Sequence, residues 1–329
     1  MTEAPPAAPA RPGGRVDAID CARGLALIGM AAYHLSWDLA DFRLVSPIFP
    51  FTPPMRLLSH GVASAFLALV GVSLALAHRR GVDLPAFWRR FAIVVGAAAL
   101  VTAGSFAFAP AMPIWFGILH CIAAASLLAL PLLRAPPAAS LAAGAVMIAL
   151  PFFVRSPAFD PPALLWLGLG EALPNTVDWR PLLPWAGATL LGLGVARLPA
   201  VMARLTAPER WRAASAAARG LAFAGRHSLA IYLIHQPILI GLVWAAAAIG
   251  APTFQPPPPD PAAFLAACTR TCVANGRAEE DCDASCRCVA DAISRSPDAG
   301  ALGEAAPDAE AVVRLRRLAD ACMVRPAAP

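Results

Sequence analysis

The chain has 329 residues, 58% of them hydrophobic and only 14% charged, with a formal net charge of +5. Soluble domains carry about one quarter charged residues, so this composition excludes an ordinary soluble enzyme and points to a membrane protein. The positive charge comes from arginine alone, lodged in short segments between apolar blocks. No basic stripe is interleaved with exposed aromatics, so a nucleic-acid partner is not expected.

Residues 1–14, within "MTEAPPAAPARPGGRVD", read as a disordered Pro/Ala-rich lead. This stretch has no compact charged-then-apolar signal with a small-residue cleavage site, so the first span is expected to remain as a helix. Between 15 and 250 the apolar residues form blocks of roughly 18–22, the length a helix rising ~1.5 Å per residue needs to cross a ~30 Å hydrocarbon core. The expected fold class is therefore all-α, a polytopic bundle of seven transmembrane spans over 24–41, 58–78, 91–109, 114–133, 138–154, 182–199 and 228–249. The fifth is short and closed by Pro151 and a Phe pair. "PALLWLGLG" at 162–170 is too short to cross and reads as interfacial or re-entrant.

Arginine counts orient the bundle. With the N-terminus inside, the inner segments hold Arg11, Arg15, Arg23, Arg79, Arg80, Arg89, Arg90, Arg134, Arg197, Arg204, Arg210, Arg212, Arg219 and Arg226. The outer loops hold Arg43, Arg56, Arg155 and Arg180. Fourteen against four places the N-terminus in the cytoplasm and the C-terminal tail outside.

The first span, "RGLALIGMAAYHLSWD", breaks the apolar rule with His34, Trp37 and Asp38. Ionisable residues within spans are costly, usually face the bundle interior and count as functional candidates. Asp38 follows His34 by four, which puts both on one helix face. A carboxylate there can hold an imidazole tautomer, the orienting role a general base needs. His60, His120 and His235 lie within or near the ends of three further spans, with an interfacial or hydrogen-bonding role as the competing reading for each. Trp37 also suits an aromatic belt. At the inner face, "HRRGVDLPAFWRR" (78–90) and "GRHS" (225–228) gather Arg79, Arg80, Arg89, Arg90 and Arg226 beside His78 and His227. These arginines fit plain topology signals, and they also fit the phosphates of an anionic co-substrate, because the guanidinium binds phosphate in a bidentate fashion. No G-x-x-x-x-G-K-[ST], H-E-x-x-H or G-x-S-x-G motif occurs.

Residues 251–262, "APTFQPPPPDPA", form a stiff Pro-rich linker. The tail, 263–329, carries Cys268, Cys272, Cys282, Cys286, Cys288 and Cys322. Six cysteines in so short a tail suit disulfides in an oxidising compartment. Zinc is the competing reading, although the spacing lacks the usual knuckle and any histidine. The i, i+4 pairs Cys268/Cys272 and Cys282/Cys286 fit two short helices stapled face to face, with fifteen pairings open. Cys21 and Cys121 fall in or beside spans and read as unpaired.

"RVDAIDCARGLALIGMAAYHLSWDL", "FLALVGVSLAL", "FWRRF", "IWFGILHCIAAASLL", "PLLPWAGATLLGLGVAR" and "GRHSLAIYLIHQPILIGLVW" together resemble bacterial members of the heparan-alpha-glucosaminide N-acetyltransferase catalytic-domain family, from about Arg15 to Trp244. The resemblance implies acyl transfer from cytoplasmic acetyl-CoA, or another acyl-CoA, to an amine or hydroxyl on the far side, with a sugar as the expected acceptor and no metal. It also implies, through a wider group of membrane acyltransferases that shares an arginine, ten residues and then a histidine, a paired role for Arg23 and His34. On this reading His34 removes the acceptor's proton, Asp38 orients it, and His120 or His60 stabilises the developing oxyanion. The acyl-CoA phosphates rest on Arg79, Arg80, Arg89, Arg90 and Arg226. A proton-coupled transporter or flippase using the same His and Asp is the alternative from another class, and a non-catalytic scaffold presenting the tail is the third. The expected partners are the bilayer and an extracytoplasmic glycan or small molecule, with a homodimer left open.

Overall fold

The computed structural model describes residues 16–254, 261–274, 277–299 and 309–323. The expected lead at 1–14 lies outside the described residues, as does 255–260 of the Pro-rich linker. Regular structure among the described residues is helical, without strands. The helices run α1 (Asp17–Asp41), α2 (Pro53–Ala77), α3 (Leu84–Phe108), α4 (Ile118–Leu132), α5 (Pro137–Ala149), α6 (Pro162–Leu165), α7 (Leu182–Ala196), α8 (Pro199–Thr206), α9 (Ala216–Arg226), α10 (Ser228–Ala248), α11 (Pro261–Ala274), α12 (Glu279–Ser294) and α13 (Ala309–Met323).

Each of the seven expected spans contains a helix, but among the described residues three helices are long and apolar enough to cross a membrane: α2, α3 and α10. A fourth is reached if α7 and α8, bent by 79° at their junction, form one broken span. The reason is length and charge. At ~1.5 Å per residue, α4 and α5 reach only about 22 and 20 Å. The 25 residues of α1 include Asp17, Asp20, Arg23, Asp38 and Asp41.

The chain divides into two compact units, 1–38 with 50–242, and 39–49 with 243–329. In the first, small residues let backbones approach, as is usual where lipid supplies no hydrophobic drive between helices. A Cβ on Gly192 of α7 would run into the backbone of Ala68 in α2, and one on Gly71 would meet Thr189 and Leu193. The core around these crossings contains Leu74, Phe87, Ala129, Leu190, Leu193 and Ala196. The opposite faces stay apolar and exposed, with Ile93, Leu100 and Phe106 on α3 and Ile234 and Ile238 on α10. A soluble fold would bury such faces.

The segment before the last span, with no helix expected, contains α8 and α9. Ser215 caps α9 by accepting from the Ala218 N–H at 3.2 Å. Its alanine-rich face lies against α1, where Gly225 and Gly24 leave no room for a side chain.

In the second unit, α11 and α12 are stapled antiparallel by Cys268–Cys286 and Cys272–Cys282, and Cys288–Cys322 ties α13 to α12. The disulfide reading of the six cysteines therefore stands and the zinc reading falls. Cys282, Cys286, Val289, Ala311 and Leu315 are buried between the three helices. Arg314 forks onto Asp298 at 2.8 and 3.0 Å. That pairing holds the Asp298 carboxyl below its ordinary range, as the Arg287 hydrogen bond does for Asp283.

Candidate functional site

The first unit has two chemically distinct ends. Arg23 near the start of α1 hydrogen-bonds Ser73 near the end of α2, and Trp37 near the end of α1 packs its ring on Phe51, 4.9 Å away, just before α2. These contacts make α1 and α2 antiparallel, so the end of α2 and the start of α3 lie at the same end as the start of α1. There the exposed Arg79, Arg80, Arg89 and Arg90 gather on one turn and the first turns of α3. Asp83 caps α3 by accepting from the Ala86 N–H at 3.0 Å, and its own N–H donates to His78 Nδ1 at 3.2 Å. Arg23 is turned inward, paired with Asp20 at 2.8 Å and with Ser73. Arg226 is exposed at the end of α9, next to Gly225, which packs on Asp20 near the start of α1.

The second cluster of polar groups lies between α1 and α10. His34 and His235 meet edge to face with ring centroids 5.0 Å apart. One turn along α1, the buried Asp38 accepts from Gln236 Nε2 at 2.7 Å. His235 Nδ1 sits 2.6 Å from the carbonyl oxygen of Tyr232. A carbonyl only accepts, so this nitrogen carries the proton. Two atoms of this cluster, His235 Nε2 and Gln236 Oε1, are buried and make no hydrogen bond within the protein.

His120 is held differently. The Gly117 N–H donates to its Nδ1 at 3.3 Å, so Nε2 carries the proton and lies 3.3 Å from Thr102 Oγ1. The Thr102 hydroxyl donates in turn to the Ile114 carbonyl at 2.9 Å. Both ring nitrogens of His120 are thus engaged. His60 is exposed, with Nδ1 on the Arg56 carbonyl and its ring stacked on Trp185, 5.5 Å away.

The loop before α7 organises this end, and it supplied no candidate to the sequence analysis beyond a topology count for Arg180. The Arg180 guanidinium lies over Trp185 at 4.8 Å, donates to Ser59 Oγ at 2.6 Å and reaches Asp178 at 4.0 Å. Asp178 Oδ2 accepts from the Ile118 N–H at 2.9 Å, placing a carboxylate at the N-terminus of α4, where the helix dipole favours it. Gly117 makes room for it, since a Cβ there would strike the carboxylate. The Asp178 charge acts on His34, His120, Cys121 and Tyr232, and the Arg180 charge on His34, Cys121 and Tyr232. The overlooked signals were a D-x-R pair in an otherwise apolar chain and a glutamine beside His235 inside a span, both costly to bury without a partner.

This arrangement can accept a proton at a half-buried imidazole and bind an anion at the opposite end. Along α1, Arg23 and His34 are about 16 Å apart. The family described as heparan-alpha-glucosaminide N-acetyltransferase, catalytic, matches residues 15–237, and the chain belongs to it. The matched span takes in the arginine end, the histidine pair and the Asp178 loop. No curated protein and no solved structure matches the chain.

Proposed function

We propose that the protein is a multi-pass inner-membrane acetyltransferase that takes an acetyl group from cytoplasmic acetyl-CoA to an amine or hydroxyl on the far side, with a sugar as acceptor. The observation that carries this reading is the coincidence of the family match with a half-buried His34–His235 pair and a separate arginine end. The CoA phosphates rest on Arg79, Arg80, Arg89 and Arg90, where guanidinium groups are exposed and free to fork onto phosphate. The acyl chain rises beside α1 to the histidine pair. The acceptor enters past Trp185 and His60, a stacked platform of the kind that suits a sugar face, with Arg180 and Asp178 behind it.

The chemistry is acyl transfer by proton removal in a dry site. One imidazole of the pair takes the acceptor's proton as its nitrogen or oxygen attacks the thioester. Asp38, fixed by Gln236 and one turn from His34, stabilises the positive charge that forms. The orientation rests on the arginine asymmetry and on the disulfides of the tail, which belong in the periplasm. All seven apolar blocks cross in this reading, the shorter helices by locally thinning the bilayer.

Proteoliposomes test it directly. With radiolabelled acetyl-CoA outside and glucosamine inside, vesicles whose α2–α3 turn faces outward accumulate N-acetylated sugar in the lumen. Vesicles of the opposite orientation do not. Equal transfer in both, or release of label without luminal product, contradicts transfer across the membrane.

A further inference from the structure

The orphaned lone pairs on α10 mark a hydrogen-bond-accepting site that the sequence analysis did not assign. His235 carries its proton on Nδ1, committed to the Tyr232 carbonyl at 2.6 Å, so the neutral ring presents a bare lone pair at Nε2. Gln236 is fixed in the same sense. Its Nε2 donates to Asp38 at 2.7 Å, which leaves Oε1 as a second acceptor with no donor. Both side chains lie against α1, one beside His34 and the other on Asp38. Buried polar atoms are nearly always satisfied, and the exceptions concentrate where a ligand or a reaction uses them. Two adjacent acceptors without donors call for a ligand that brings N–H or O–H groups. His120, in contrast, has both ring nitrogens engaged within the protein.

We propose that His235 Nε2 is the general base that receives the acceptor's proton, and that Gln236 Oε1 positions the same amine or hydroxyl through a second hydrogen bond. This rests on the acetyltransferase reading and moves the base from His34, the residue the sequence favoured, to the ring packed against it. In the step itself the acceptor nitrogen attacks the thioester carbonyl, so a C–N bond forms and the C–S bond breaks. The departing proton goes to His235 Nε2, and the imidazolium returns it to the CoA thiolate. The products are the acetamide, CoA thiol and neutral His235, with no other reactant required. A hydroxyl acceptor follows the same course to an ester. His34 and Tyr232 pack against the ring, with centroids 5.0 and 5.6 Å away, and fix its plane.

The test uses the full chain in detergent, with acetyl-CoA and glucosamine as probes and CoA thiol release as the readout. His235→Ala should keep acetyl-CoA affinity within about twofold and lose about 100-fold or more in kcat, the usual share of a general base. Added imidazole, able to fill the space left, should recover about tenfold of that loss. Gln236→Leu should act mainly on the KM for glucosamine. Turnover of His235→Ala within about threefold of wild type overturns the assignment. So does loss of acetyl-CoA binding in both His235→Ala and His235→Gln, which would make His235 a support of the donor site or the fold. A wild type that itself binds no acetyl-CoA is a different result, and it removes the acetyltransferase reading rather than the choice of base.

Discussion

The helical bundle and the cysteine-rich tail solve stability in opposite ways. The tail holds three short helices with three disulfides spanning 10, 18 and 34 residues, and its surface carries the i, i+4 pairs Arg287–Asp283 and Arg295–Asp291 and the Arg314–Asp298 fork. Small modules need such staples because their cores are too small to hold alone. The bundle has no disulfide among its described residues and relies on backbone contact at glycines, while its interior keeps polar atoms unsatisfied at His235, Gln236, Ser140 and Thr189. One region spends cross-links to remain rigid. The other tolerates polar atoms in its interior without partners.

The largest effect that would break this comparison is expected in the bundle. Gly192→Val places a branched side chain against the Ala68 backbone, which cannot yield as a flexible side chain would. A cost of about 2–3 kcal/mol or more is expected, seen as a fall in the thermal midpoint of the purified protein together with lost acetyl-CoA binding. A variant with wild-type stability would show that α2 and α7 do not depend on close approach.

Next comes the tail. Replacing Cys272 and Cys282 together by serine removes one staple from the α11–α12 hairpin and is expected to cost about 2–4 kcal/mol within that module. Limited proteolysis should then cut first within 261–323, and resistance equal to wild type would mean that packing alone holds the hairpin. The smallest effect is electrostatic. The Arg314 hydrogen bond holds Asp298 below the ordinary carboxylate value of 3.8, so its contribution is complete above that pH and fades as the pH falls below it. Asp298→Asn should therefore narrow the difference in tail stability between pH 6 and about pH 3. An unchanged acid profile would show that the fork does not couple to folding.

Much of the fold was legible because hydropathy marks every apolar block, and the i, i+4 cysteines announced a stapled hairpin. What hydropathy misses is helix made of alanine and glycine. α9 is invisible to it, yet Gly225 against Asp20 and Gly24 against Leu221 lock it onto α1. Hydropathy also says nothing of length: α4 and α5 are as apolar as the longer spans, yet they are only 15 and 13 residues long. In the site, His34 and Asp38 could be found by spacing along one helix. Gln236 and Asp178 could not, because their importance comes from partners 198 and 60 residues away, on α1 and at the start of α4. Arg23 shows the reverse: its motif was visible, but its side chain is taken up by Asp20 and Ser73 rather than facing solvent.

The measurement that tests the central claim most directly is calorimetric titration of the purified protein with acetyl-CoA, for wild type and for the Arg79→Ala/Arg80→Ala pair. The account predicts saturable micromolar binding to wild type and a loss of about tenfold in the pair, as expected when charge-assisted phosphate contacts are removed. No binding by folded wild type would contradict the acetyltransferase reading, and equal binding by the pair would contradict the placement of the donor's phosphates at the arginine end.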